Sequence, residues 1–223
     1  MHRLWDARTR CRGAPPPRFA ALSGVLSYAW AVSSPIRAAV LLALALTAGA
    51  CAATPPASFD PSAPCTQDGS APGAYPDLEA MVPATFENGS PQTLDSGRKC
   101  TTEGLGALSA AGIKEVHFAG GTWGFGAIRA AALAVFSAPG LTADDMAEFY
   151  GTSATEANRT RITAVSTPTL AGRPGHRIDS VTGDREQTVM VWPGAQPDVV
   201  NVVITNDLPD PKIDAAVEAF GGR

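Results

Sequence analysis

Few side chains in this chain can do chemistry. Of 223 residues, four are cysteine and three are histidine, and aromatic residues make up 7%. The arrangements that would put such residues to work are missing as well. There is no Gly-x-Ser-x-Gly, so no nucleophile elbow. There is no His-Glu-x-x-His, no pair of Cys-x-x-Cys and no Gly-Lys-Ser/Thr phosphate loop. No repeat of solenoid period occurs. The reading is therefore no catalytic motif, no metal site and no cofactor. Long apolar runs are scarce too. The run Ala38 to Ala50 has thirteen residues, whereas a spanning helix needs about 20.

That short run is the most informative segment. Arg37 precedes it, and the small residues Ala48, Gly49 and Ala50 lead into Cys51. A positive charge, an apolar stretch and a small-residue exit make a secretory signal. Ending on cysteine, it resembles the lipobox of bacterial lipoproteins: Gly49, Ala50 and Cys51 match, with Ala48 in the usual Leu position. The resemblance implies a diacylglycerol on the Cys51 sulfur and a mature chain that begins there. Its partner would be the lipid bilayer, on the extracytoplasmic side of the cell membrane. Ala48-Gly49-Ala50 also fits ordinary signal cleavage, which would release a soluble protein. Residues 1–34, with Arg3, Arg8, Arg10, Arg12, Arg18 and Pro15-Pro16-Pro17, fit no export signal. A start at Val32 would leave Arg37 as the leader's charge.

Beyond Cys51 the chain carries 11 Lys and Arg against 20 Asp and Glu, a net charge of −9. An acidic surface argues against nucleic acid as a partner, since its binding requires basic footprints. Residues 51–73 are rich in Pro, Ala, Ser and Gly and read as a disordered tether. Residues 74–223 are the length of one domain. Cys65 and Cys100 are the remaining cysteines of the exported part. Outside the cytoplasm such a pair oxidises, and a disulfide is expected between them.

Periodicity and punctuation predict the elements. Asp77 is expected to cap a short helix ended by Pro83, and Asn88-Gly89 to turn a hairpin over 84–94. Thr101 or Thr102 caps a helix carrying Leu105 and Leu108, with Gly112 past its end. Residues 113–118 alternate as a strand, and 127–136 read as a central strand. Thr142 caps a helix with Asp144 and Asp145 in its first turn and Gly151 as its stop. Four strands over 161–167, 175–181, 187–192 and 199–205, joined by short Gly- and Pro-containing turns, form an antiparallel meander. A helix over 212–220 closes the chain. The fold class is thus α+β: an antiparallel sheet with a C-terminal four-strand meander and helices packed on it.

The order of a strand, Ala138-Pro-Gly140, a capped helix, a Gly-Arg-Pro hairpin, Val-Trp-Pro-Gly and a final helix loosely resembles small bacterial lipoproteins of PsbP-like and LpqN-like fold. The resemblance covers Ser137 to Phe220. It implies the sheet and its helices but no activity, because that fold serves largely for binding and assembly. Among candidate functional residues, His117 and His176 each lie on an expected strand, and Asp179 follows His176 on the opposite strand face. Trp123 and Phe125, set among Gly120, Gly121, Gly124 and Gly126, read either as a hairpin tip where they meet a ligand or partner protein or as an ordinary turn with Trp123 folded back onto the sheet. Two functions follow: a surface-anchored, non-enzymatic binding or assembly domain, or a small extracytoplasmic hydrolase with scattered Asp, Glu and His.

Overall fold

A computed structural model describes residues 59–126 and 128–221. Cys51, the signal-like run and residues 51–58 of the expected tether lie outside these. In chain order the elements are β1 (Gly69–Ala71), α1 (Pro76–Glu79), β2 (Thr93–Lys99), α2 (Thr102–Leu105), α3 (Ala107–Ala110), β3 (Val116–Gly124), β4 (Ala130–Ser137), α4 (Ala143–Glu156), β5 (Thr160–Ser166), β6 (Thr169–Leu170), β7 (Arg173–Pro174), β8 (His176–Thr182), β9 (Arg185–Pro193), β10 (Val199–Asn206) and α5 (Asp210–Glu218).

Eight strands form one sheet in the order β1-β2-β3-β4-β10-β9-β8-β5, every neighbour antiparallel. The expected meander is its β5-β8-β9-β10 half. Both faces of the sheet are covered. Trp123, Leu133, Val135, Met190, Trp192 and Val203 pack under α1 and α5. Val116, Ile178, Val189, Val191, Val200 and Val202 pack under α2, α3 and α4. This explains why β10 reads Val-Val-Asn-Val-Val-Ile: a central strand buried on both sides loses its polar alternation. α4 begins as the sequence implies. Thr142 and Asp145 form a reciprocal capping box, with the Thr142 hydroxyl 2.6 Å from the Asp145 carboxylate.

Several expectations are corrected. The tether does not extend to residue 73, because β1 pairs with β2 through Gly69–Arg98, Ser70–Gly97 and Ala71–Ser96. Residues ahead of β1 cross the domain as a strap. Arg98, 7% exposed, donates to the carbonyls of Asp60 and Pro61 and lies 5.5 Å from the Phe59 ring centre. Cys65 and Cys100 are bonded, as expected. The strand β2 replaces the second arm of the expected hairpin, of which only a Phe86–Gly89 bridge exists. The helix after Thr101 is two short helices broken at Gly106, whose φ of 50° leaves the helical region. Asp77 caps nothing; Tyr75 is the first flanking residue of α1 and Pro76 its first turn. Gly151 does not stop α4, since a glycine inside a helix costs only about 1 kcal/mol and this helix is held by Met146 in the core.

Asp68 ties the strap to the start of α2. Its carboxylate accepts from the Cys100 and Thr101 backbone N–H groups at 2.8 and 3.0 Å and from the Thr101 hydroxyl at 2.9 Å. Partial burial opposes its ionisation, but these hydrogen bonds and nearby Lys99 outweigh it, so its pKa falls below the usual 3.8. A carboxylate with a depressed folded-state value contributes stability above its unfolded value and loses it as pH falls through the folded one. Urea melts of the wild type and Asp68→Asn should therefore differ at pH 7 and differ less at a pH well below 3.8. An equal difference at both would show that Asp68 acts without its charge.

Candidate functional site

A polar concavity lies on the α5 face of the sheet, over the strands β10, β9, β8 and β5. It encloses about 440 Å³. Its floor is a cross-strand row, Thr205, Thr188 and Asp179, set side by side by strand register. The first turn of α5 forms one wall. Arg177 is the organising side chain. Its Nε donates to both oxygens of Asp179 at 3.0 and 2.9 Å, and its Nη2 to Asp210 at 2.8 Å. The Asp179 carboxylate also accepts from the Thr188 hydroxyl at 2.6 Å. These carboxylates raise the Arg177 pKa, and the bonds from two of its nitrogens, Nε shared between the Asp179 oxygens and Nη2 on Asp210, fix the guanidinium plane. At the rim, Asp207 accepts from the Glu186 backbone N–H at 3.0 Å and from Arg185 at 3.2 Å. Those bonds, the backbone one first, lower its pKa.

The arrangement is a polar, acidic groove with its own charge clamp already formed. It offers hydroxyls and carboxylates to a cationic or hydrogen-bonding ligand. Neither histidine nor cysteine lines it. Among the described residues, no group of three or more His, Cys, Asp and Glu could hold a metal ion.

The histidines are not brought together. His117 is on β3 and His176 on β8, with β4, β10 and β9 between them. At about 4.8 Å per strand they stand some 19 Å apart, on opposite faces. His117 stacks on Tyr75 at 4.4 Å and contacts Glu115 at 2.9 Å. His176 meets Asp144 of α4 at 2.7 Å, beside a cavity of about 280 Å³ lined also by Thr142, Thr167 and Pro174. The partner is thus Asp144, 32 residues away, and Asp179 points to the other face.

Trp123 is not at a loop tip. It is on β3, 3% exposed, and its indole N–H donates to the Gly89 carbonyl at 2.9 Å. Gly121 makes room for the indole. A side chain at Gly121 would meet the Trp123 ring at 2.9 Å and Pro91 at 3.0 Å, so glycine inside the strand marks close packing. Phe125, just past the strand, is half-buried, edge-on to Phe86 at 5.6 Å and under Lys212 at 4.8 Å. Trp123 is therefore a core residue, while Phe125 keeps part of its surface exposed. The groove that does exist was missed because its residues come from four strands and a helix, and only their register makes them neighbours. The row Thr188, Thr205 of otherwise apolar strands was the available signal.

The chain matches no protein-family model, no curated protein and no solved structure.

Proposed function

We propose that this protein is a lipid-anchored, extracytoplasmic binding domain that takes its ligand in the Arg177–Asp179–Asp210 groove. The observation that carries the binding part is the preformed polar groove, whose charged side chains are already clamped. The anchoring part rests on Cys51 and the signal-like run before it. The strap supports a close approach to the bilayer. With the domain starting by Phe59, seven residues separate it from Cys51, or at most about 28 Å of extended chain.

A second reading, a small hydrolase, has one observation in its favour, the His176–Asp144 pair beside a cavity. The pair is poorly placed for catalysis. Asp144 is 87% exposed, and the Thr142 hydroxyl is committed to the α4 capping box.

Metabolic labelling with palmitate tests the anchor. Wild type should incorporate label and fractionate with membranes, whereas Cys51→Ser should do neither. Equal labelling of both would remove the lipid anchor.

A further inference from the structure

The two edges of the sheet are built differently. At one end β1 is three residues long, Phe59 lies against Gly69, and the strap crosses Arg98. That edge is short and guarded. At the other end β5 is seven residues long, and no described strand pairs with its outer side. Thr163 to Ser166 are exposed, and Val165 is 65% exposed. The strand has no Lys or Pro to discourage pairing; its one device is a register shift between Ile162 and Ala164.

A groove flanks this edge on each face. On the α5 face, Thr163 and Ala164 complete the wall of the Arg177–Asp179–Asp210 groove. Arg161, farther along β5, does not line it. On the α4 face, Ile162 and the small residues Gly151, Thr152 and Thr155 leave a second groove of about 470 Å³, with Glu148 and Glu156 in its lining. Side chains of an added strand alternate between faces. One set would enter the first groove and the other set the second.

We propose that β5 is a docking edge to which an extended, basic segment of a partner protein adds as a ninth strand. The proposal rests on reading the Arg177 groove as a ligand surface. Backbone hydrogen bonds would supply affinity and the two grooves specificity, the pattern of strand-addition modules. Charge selects the occupant. The first groove sets Asp179, Glu186, Asp207 and Asp210 against Arg177 and, at the rim, Arg185, an acidic excess that suits Lys or Arg. The second has Ile162 at its floor and exposed Val165 near by on the same face, which suits apolar residues between the basic ones.

The test uses the full chain and a fluorescent octapeptide of alternating Lys and Val, with a Glu-Val peptide and an alternately N-methylated Lys-Val peptide as controls. The Lys-Val peptide should bind and should protect β5 amides from hydrogen exchange. N-methylation removes strand-pairing donors and should weaken binding at least about tenfold. Val165→Lys, an exposed change, and Asp207→Asn should each weaken it several-fold. If N-methylated and unmodified peptides bind alike, the groove holds cations without strand addition, which overturns the docking edge and leaves the binding reading intact. No binding of any peptide also overturns it. A stable dimer of the wild type that Val165→Lys dissolves would overturn it in favour of a second copy. None of these outcomes bears on palmitate labelling of Cys51.

Discussion

Trp123→Ala should lower stability by about 3–5 kcal/mol, the range for truncating a buried aromatic. The indole is 3% exposed. It lies edge-on to Phe86 at 6.0 Å, and its N–H reaches the Gly89 carbonyl across 34 residues of chain. Removing it opens a cavity beneath α1 and frees the turn at Asn88-Gly89, so packing and hydrogen bonding are lost together. Phe136 is the comparison. It is half-buried on β4, in contact with Phe118 and Tyr150, and Phe136→Ala should cost less. Urea melts of the two variants measure the difference. A loss under about 1 kcal/mol for Trp123→Ala would mean a surface residue.

The double change Cys65→Ala with Cys100→Ala should cost about 2–4 kcal/mol. The bridge closes a loop of 35 residues. The chain-entropy estimate for a loop of that length is near 4 kcal/mol, acting by restricting the unfolded chain. The strap has other attachments, Arg98 to the Asp60 and Pro61 carbonyls and Asp68 to Thr101. These should hold β1 in place in the variant, so the loss should appear as a lower urea midpoint with β1 amides still protected from exchange. Loss of that protection at an unchanged midpoint would mean that the bridge pins the strap and does little else. Mass spectrometry without reduction should find the two cysteine peptides joined in wild type.

Much of the fold could be read from residues close together in the chain. The meander declared itself through alternation and turns such as Thr182-Gly-Asp-Arg185, with Gly183 at a φ of 68°, because a hairpin is specified by its own turn and pattern. The start of α4 lies within four residues, Thr142 to Asp145, so the cap and the acidic first turn could be read locally. The disulfide followed from a count of cysteines and an export signal. These are local or compositional properties, and physical chemistry acts on them before the chain folds.

What the tertiary structure decided depends on residues far apart in sequence. Thr93–Lys99 has weak strand propensity, Thr-Leu-Asp-Ser-Gly-Arg-Lys, yet forms β2 because β1 and β3 flank it. Its Gly97 lies where a side chain would collide with the Gly69 carbonyl and Ser70. The Gly120–Gly126 segment looks mobile on paper, because glycine has the most conformational freedom to lose. In the fold, pairing with β2 and β4 and the bulk of Trp123 hold it as a strand. His176 found Asp144 only through the packing of α4 on the sheet. The groove needed all of this at once, for Thr205, Thr188, Asp179 and Asp210 become neighbours through strand register and the seating of α5. Local sequence sets which elements are possible, while long-range burial and backbone pairing choose the partners, and the site is made of partners.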